Sequence, residues 1–268
     1  MRISKRDLIL QTIIQEYVKF HLPIGSAQLQ VRMNLNISPS TIRIYLKKLS
    51  QEGALDQLHV SSGRVPTQSA LQEYWTKTIH PKNTLRIKSL DHIANGVQEF
   101  GLFCKVAKTH KDLLKEVMSV ADRYLILVFD RSEIVLKYSD LVKRFLSNLI
   151  GCDILQLKKI SAQVGLYELH DKIEQIFSLS HMLQSGESQV YALADQFGKM
   201  GMIEEILHPE FATSLQEGLY FKDFIPKGTM AVKHLAKLDE DAVSLFFFGR
   251  LESNFEEFLM HTCNEEVL

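Results

Sequence analysis

Apolar residues recur at helical spacing over the first eighty positions of the chain and gather into strand-sized blocks beyond them. Behind a Ser4-to-Asp7 capping pattern, Leu10, Ile13, Ile14 and Tyr17 repeat with the period of a helix, which predicts a first helix there. His21-Leu22-Pro23-Ile24-Gly25 breaks it, and Ser26 is placed to cap a short second helix whose apolar positions are Ala27, Leu29 and Met33. Asn34 to Ile37 reads as a tight turn. Ser38-Pro39 then restarts a helix: a capping hydroxyl followed by proline at the first helical position, where the missing N–H costs nothing. That third helix has an inner stripe of Ile42, Leu46 and Leu49, and its opposite face carries Ser40, Arg43, Ile44 and Lys47. Gly53 ends it. Ala54 to His59 and Arg64 to Pro66 read as two short strands around a Ser61-Ser62-Gly63 turn, and Thr67 caps a fourth helix running through Tyr74 and Trp75 to about Thr78.

Helix, short helix, turn, helix and hairpin is the order of a winged helix-turn-helix. His80-Pro81-Lys82-Asn83 is the best linker, giving units 1–80 and 81–268. Beyond it, Ile87 to His110 reads as largely helical, with Leu90, Ile93, Ala94 and Val97 facing inward. Tyr124 to Phe129 is a buried strand that turns through Asp130-Arg131-Ser132 into Glu133 to Tyr138. Helices at about 140–150 and 166–184 and more helix up to Leu207 follow, then a strand at Val243 to Phe248 and a closing helix from Glu252 to Met260. The fold class is α+β.

Composition narrows this little and charge narrows it more. Hydrophobic residues make up 46% and charged residues 24% of 268, ordinary for a globular protein with a real core. No apolar run approaches the roughly 20 residues of a membrane-spanning helix, and the N-terminus lacks the apolar block of a secretory signal. Cys104, Cys152 and Cys263 are far apart with no metal-ligand spacing, so a reduced, cytoplasmic protein is expected. Residues 1–80 carry ten Lys and Arg against five Asp and Glu, net +5; the remainder carries 21 against 27, net −6. A basic N-terminal unit on an acidic body suits a DNA-binding module with a regulatory domain.

If the third helix enters a major groove, its early residues reach the base edges. Arg43 can grip guanine O6 and N7, Ile44 can press on a thymine methyl, and Ser40 or Thr41 can bond a base or a phosphate. Ser38 belongs to the same helix start. Lys47 and Lys48 suit phosphates, which position without specifying. The wing tip Ser61-Ser62-Gly63-Arg64 offers small donors and one cation for phosphate or minor groove. A basic helix face can equally be a merely solvated one, winged helices also mediate protein contacts, and an outward Ile44 can pack on the wing. No paired carboxylates, nucleophile elbow, phosphate loop or metal set stands out, and His59, His80 and His110 read as surface or structural, so no catalytic residue, metal or cofactor is expected.

Three strings carry a resemblance: Pro23-Ile24-Gly25-Ser26, Ile37-Ser38-Pro39-Ser40-Thr41-Ile42-Arg43 and Ser61-Ser62-Gly63-Arg64-Val65-Pro66-Thr67. In this order and spacing they resemble the heat-inducible transcription repressors of the HrcA family. Leu146-Ser147-Asn148-Leu149-Ile150-Gly151, His208-Pro209-Glu210-Phe211 and Gly249-Arg250-Leu251-Glu252 are similar to family strings in the rest of the chain. Ile44 stands where the family usually has asparagine and Val60 where it commonly has threonine. The chain is also shorter than the usual family length. The resemblance implies a homodimer binding an inverted-repeat operator upstream of chaperone genes, and a GAF-like α+β domain with a reduced inserted dimerisation segment. It also implies activity linked to the GroEL chaperonin. A small-molecule-sensing winged-helix regulator using the GAF-like pocket is the alternative reading.

Overall fold

In the computed structural model, residues 4–33, 37–57, 63–109, 112–179, 181–209 and 211–264 are described. The fold is mixed α+β. Helix α1 (Lys5–Phe20) starts behind Ser4, whose Oγ accepts the Asp7 N–H, and stops at His21 in the left-handed region. Its buried stripe is Ile9, Ile13, Ile14 and Val18, with Leu10 and Tyr17 only half-buried. The stripe sits differently from the sequence expectation because α1 serves two cores: Ile9 and Ile13 face its neighbouring helices, Ile14 and Val18 the body. Helix α2 (Ser26–Met33) buries Leu29 and leaves Ala27 exposed. Helix α3 (Pro39–Gln51) is capped by Ser38 with proline in its first turn, and buries Ile42, Leu46 and Leu49. Strands β1 (Leu55–Asp56) and β2 (Val65–Pro66) pair antiparallel, and helix α4 (Gln68–Thr78) follows the Thr67 cap.

Helix α4 is bolted to the body. The Trp75 indole is fully buried, donates to the Leu251 carbonyl at 2.8 Å and meets the Phe255 ring edge-on at 5.3 Å. Tyr74 donates its hydroxyl to Glu256 at 2.9 Å.

The body begins with β3 (Leu85–Ile87), α5 (Leu90–Phe100) and β4 (Phe103–Lys108). The helix expected to run to His110 therefore stops ten residues early, at Phe100, with Gly101 capping it at φ +61°. Phe103 to Ala107 is buried on both sides, so it shows no alternation that would mark it as a strand. Next come β5 (Leu114–Val120), β6 (Tyr124–Phe129), β7 (Glu133–Lys137), α6 (Asp140–Ser147), α7 (Ile154–Gln163) and α8 (Tyr167–Leu179). They form a separate three-stranded sheet backed by helices, with its own core of Leu125, Leu127, Ile134, Leu157, Ile173 and Phe177. Strand β6 is buried on that side alone, not on both as its apolar run suggests. The helix predicted to reach residue 184 gives way to β8 (His181–Ser185), which pairs with β4. The β5–α8 unit is thus inserted between two adjacent strands of the main sheet.

Helices α9 (Glu187–Phe197), α10 (Gly201–Leu207) and α11 (Phe211–Ser214), strands β9 (Gly218–Tyr220), β10 (Thr229–Leu238) and β11 (Asp241–Arg250), and helix α12 (Phe255–Thr262) complete the chain. The main sheet has the order β3-β10-β11-β4-β8, with β9 also on β10. One face (Cys104, Val106, Val232, Leu245, Phe247) packs on α5, α12, α4 and the inner side of α1. The other (Phe103, Phe246, Phe248) packs on α9, α10 and α11. Phe246, Phe247 and Phe248 are fully buried.

The second face holds two lysines. Register places Lys105, Phe246 and Lys233 in one row across β4, β11 and β10. Both amines are buried, and among the described residues neither has a carboxylate in ion-pair range. The Lys105 Nζ donates to the carbonyls of Ile206 (2.9 Å) and His208 (2.7 Å) at the end of α10, where a cation complements the helix dipole. Lys233 donates to the Ser244 hydroxyl, which donates to the Ala212 carbonyl at 3.1 Å. Burial pushes both lysine pKa values down to about 8.

Candidate nucleic-acid interface

The α3 stripe that packs inward fixes which residues remain outside. Ser38 is committed to the helix start: its Oγ accepts the Thr41 N–H at 3.2 Å and lies 2.8 Å and 2.9 Å from the hydroxyls of Ser40 and Thr41. Ser40 is exposed and Thr41 half-buried. Arg43 is exposed, and its Nε donates to the Ser26 Oγ on α2 at 3.2 Å. Ile44 is 69% exposed, so it stands on the same open face instead of filling a core position. Lys47 and Lys48 are exposed as well.

Charge around this face is shared unevenly. Lys48 lies 4.0 Å from the Glu52 carboxylate, which Arg6 of α1 also holds, its Nε at 2.9 Å. The hydrogen bond to Glu52 raises the Arg6 pKa, and bonds from Ser4 and Arg6 hold the Asp7 carboxyl below its usual value. At this partly exposed position the Glu52 clasp is worth at most about 1 kcal/mol. Its main effect is to tie α1 to the end of α3.

The base of the hairpin is locked to the loop before α2. Ile24 and Arg64 exchange backbone hydrogen bonds in both directions, at 3.0 Å and 2.8 Å. Gly63 sits against the same peptide; a Cβ there would fall 2.5 Å from the Ile24 carbonyl carbon, so no larger residue fits. Arg64 is half-buried, and its Nε donates to the Ser50 Oγ of α3 at 3.1 Å. Thr67 closes the arrangement by donating to the Gly53 carbonyl at 2.9 Å while capping α4. Ser61 and Ser62, with His59, Val60 and His110, lie outside the described residues.

The three sequence strings therefore meet in space. Ile24 joins Arg64, Ser26 joins Arg43, and Ser50 joins Arg64. Sequence reading identified the two arginines and missed both serines. Ser26 stood in view inside the Pro23-to-Ser26 string, but as a helix cap; Ser50 carried no local signal. In fact Gly25 supplies the first helical carbonyl of α2, accepting the Leu29 N–H, and the Ser26 hydroxyl bonds elsewhere.

Elsewhere the strongly shifted groups lie in packing. Burial holds His234 neutral, its pKa down to about 4, with its ring stacked on Phe247. A groove of about 280 Å³ between α1, α4 and α12 includes Tyr74, pushed up to about 12 by burial and Glu256. A second, of about 650 Å³, lies between α4 and the segment around β9. Among the described residues no three His, Cys, Asp or Glu side chains gather as a metal site, and no helix is long and apolar enough to cross a membrane.

A family model described as the HrcA C-terminal domain matches residues 75–265. The heat-inducible transcription repressor HrcA of Helicobacter pylori is 28% identical over 276 residues, covering 98% of this chain and 96% of that protein. The repressor of the same name from Staphylococcus epidermidis is 45% identical over 73 residues, 27% of this chain and 22% of its own. Among solved structures, a hypothetical protein aligns over 97% of both chains at 18% identity with a TM-score of 0.47. Pseudomonas aeruginosa HmgR aligns over 97% of this chain and 95% of its own at 13% identity with a TM-score of 0.25.

These relatives define a class, the repressors of transcription, whose role is regulatory. The chain belongs to the HrcA family of heat-inducible transcription repressors. The Helicobacter alignment covers nearly the whole of both chains, so the short body is shared with that relative.

Proposed function

We propose that the protein represses chaperone genes by binding an inverted-repeat operator as a homodimer, with residues 1–80 as a winged-helix DNA-binding domain and 81–268 as a GAF-like regulatory and dimerisation domain. The observation that carries this reading is the open face of α3, where Ser40, Arg43, Ile44 and Lys47 lie opposite the buried Ile42-Leu46-Leu49 stripe. A helix so built enters a major groove with its apolar side against its own domain. Arg43 reads guanine, Ile44 meets a thymine methyl, Ser40 and Thr41 bond a base or phosphate, and Lys47 and Lys48 neutralise phosphates. Ser38 holds the helix start. Gly63 and Arg64 set the base of the wing whose tip is Ser61 and Ser62, and Arg64 reaches phosphate while braced on Ser50.

Dimerisation is supported by the outer face of the inserted sheet. Register lines up Met118, Ile126 and Val135 across its three strands, beside Val120 and Tyr124. Four of these five are 37% to 52% exposed, an apolar face suited to self-complementary pairing about a two-fold axis. A body carrying two buried amines with no direct ion pair among the described residues is a source of marginal stability, which favours the chaperonin link. The metabolite-sensing alternative has less support, because Phe103, Phe211, Phe246 and Phe248 fill the sheet face under α9–α11.

The test compares two substitutions by fluorescence anisotropy on operator and scrambled duplexes. Arg43→Ala is expected to weaken operator binding about 10- to 100-fold, the worth of a bidentate base contact, and to leave scrambled-duplex binding nearly unchanged. Lys47→Ala is expected to weaken both duplexes alike and to shallow the logarithmic salt slope by about 0.9. Equal behaviour of the two variants on both duplexes would overturn the assignment of the reading face.

A further inference from the structure

We infer that Ser26 is a positioning residue for Arg43: its hydroxyl takes the Nε–H and leaves the two terminal nitrogens of the guanidinium as a matched pair for a base edge. This deepens the reading above and rests on Arg43 being the residue that meets the base.

The guanidinium is planar, and a bidentate contact to guanine needs two parallel N–H donors in one orientation. A free arginine on an open helix face samples many rotamers, and immobilising such a side chain on binding costs conformational entropy. Arg43 is exposed on α3, yet its Nε is already bonded to the Ser26 Oγ at 3.2 Å. Among the described residues its terminal nitrogens have no hydrogen bond. The bond occupies the Nε–H and leaves the end-on bidentate contact through the two terminal nitrogens open.

Ser26 is itself fixed. It is the first residue of α2, one residue beyond Ile24, whose backbone pairs with Arg64 in both directions. Pro23 restricts the chain on the other side of that peptide. The Pro23-to-Ser26 string thus does two things at once: its backbone seats the wing base and its final side chain aims the reading helix. Gly25 holds the cap position of α2, so the Ser26 hydroxyl is not engaged in starting the helix and bonds a residue seventeen positions away.

The experiment uses the full chain in two readouts. In DNA-free protein, the Arg43 Nε–H resonance is followed by NMR through assignment against Arg43→Lys. It is expected to be protected from solvent exchange in the wild type, to lose protection in Ser26→Ala and to regain it in Ser26→Thr. On DNA, Ser26→Ala is expected to lower operator affinity about 3- to 10-fold with scrambled-duplex affinity and Tm unchanged, and Ser26→Thr to restore it. In an Arg43→Lys background, which lacks the Nε and the planar fork, Ser26→Ala is expected to have no further effect. Unchanged Nε–H protection in Ser26→Ala would overturn the inference. So would an operator loss that is the same in the Arg43→Lys background. If Arg43→Ala keeps full operator selectivity, the reading-face assignment fails instead, while the NMR result still reports whether Ser26 holds the guanidinium.

Discussion

Two arginines in the N-terminal unit and two lysines in the body are held by opposite arrangements. Arg43 and Arg64 each give their Nε to a serine, Ser26 and Ser50, and sit exposed or half-buried. Lys105 and Lys233 are buried to within 2% and direct their amines at backbone carbonyls and a serine inside the sheet face. In the first pair the hydrogen bond aims a charge and leaves donors over. In the second it compensates for a charge that has lost its water. The same formal charge is therefore available to a partner in one region and internal in the other, which net charge per region does not reveal.

The largest effect expected in breaking this contrast comes from the contact that makes the two regions one structure. Trp75→Ala removes a fully buried side chain and the bond to the Leu251 carbonyl. It is expected to cost about 3–5 kcal/mol in chemical denaturation. The unfolding transition should also lose its single-step form, because α4 no longer ties the N-terminal helices to the main sheet. A loss below about 1 kcal/mol would mean that the shared core contributes little.

A smaller effect separates the two lysines. Lys233→Met removes a buried ammonium whose partner, Ser244, keeps its bond to Ala212. It is expected to raise stability by about 1–3 kcal/mol at pH 7. Lys105→Met takes the buried donor from the Ile206 carbonyl at the end of α10, while the His208 carbonyl keeps the Phe211 N–H at 3.1 Å, so it is expected to lower stability by about 1 kcal/mol. The pH dependence gives the sign independently. Both pKa values lie near 8 in the fold against an ordinary 10.5. Below pH 8 folded and unfolded chains are both protonated and the burial penalty is present in full. Between about 8 and 10.5 the unfolded chain binds protons that the fold has released, so stability rises with pH. Denaturation curves at pH 7 and pH 10 should therefore show the Lys233→Met advantage shrinking; an advantage that grows would contradict the buried-charge account.

Legibility from sequence divides along the same line. Helices α1, α3 and α4 were readable because each has a local start signal, Ser4, Ser38-Pro39 or Thr67, and an apolar stripe. Even there Ile13 and Ile14 are buried as expected but Ile9 and Val18 take the places of Leu10 and Tyr17, since the apolar side of α1 faces two cores at once. In the body, β4 from Phe103 to Ala107 and β10 from Thr229 to His234 are buried on both faces and so show neither helical nor alternating period there, while each carries a buried lysine where a polar residue suggests a surface. The short strands β8 and β9 depend on pairing with distant segments. The open face of α3 followed directly from its buried stripe. The serines that brace the arginines did not, because a hydrogen bond across seventeen or fourteen positions leaves no periodic trace.

The most direct measurement is a footprint of the wild-type protein across its own chaperone-gene promoters. Two half-sites of an inverted repeat should be protected at the same protein concentration, with centres one helical turn or an integral number of turns apart, about 10 base pairs per turn. Protection no stronger than on unrelated DNA, or of a single unpaired site, would contradict the account of a dimeric repressor reading DNA through α3.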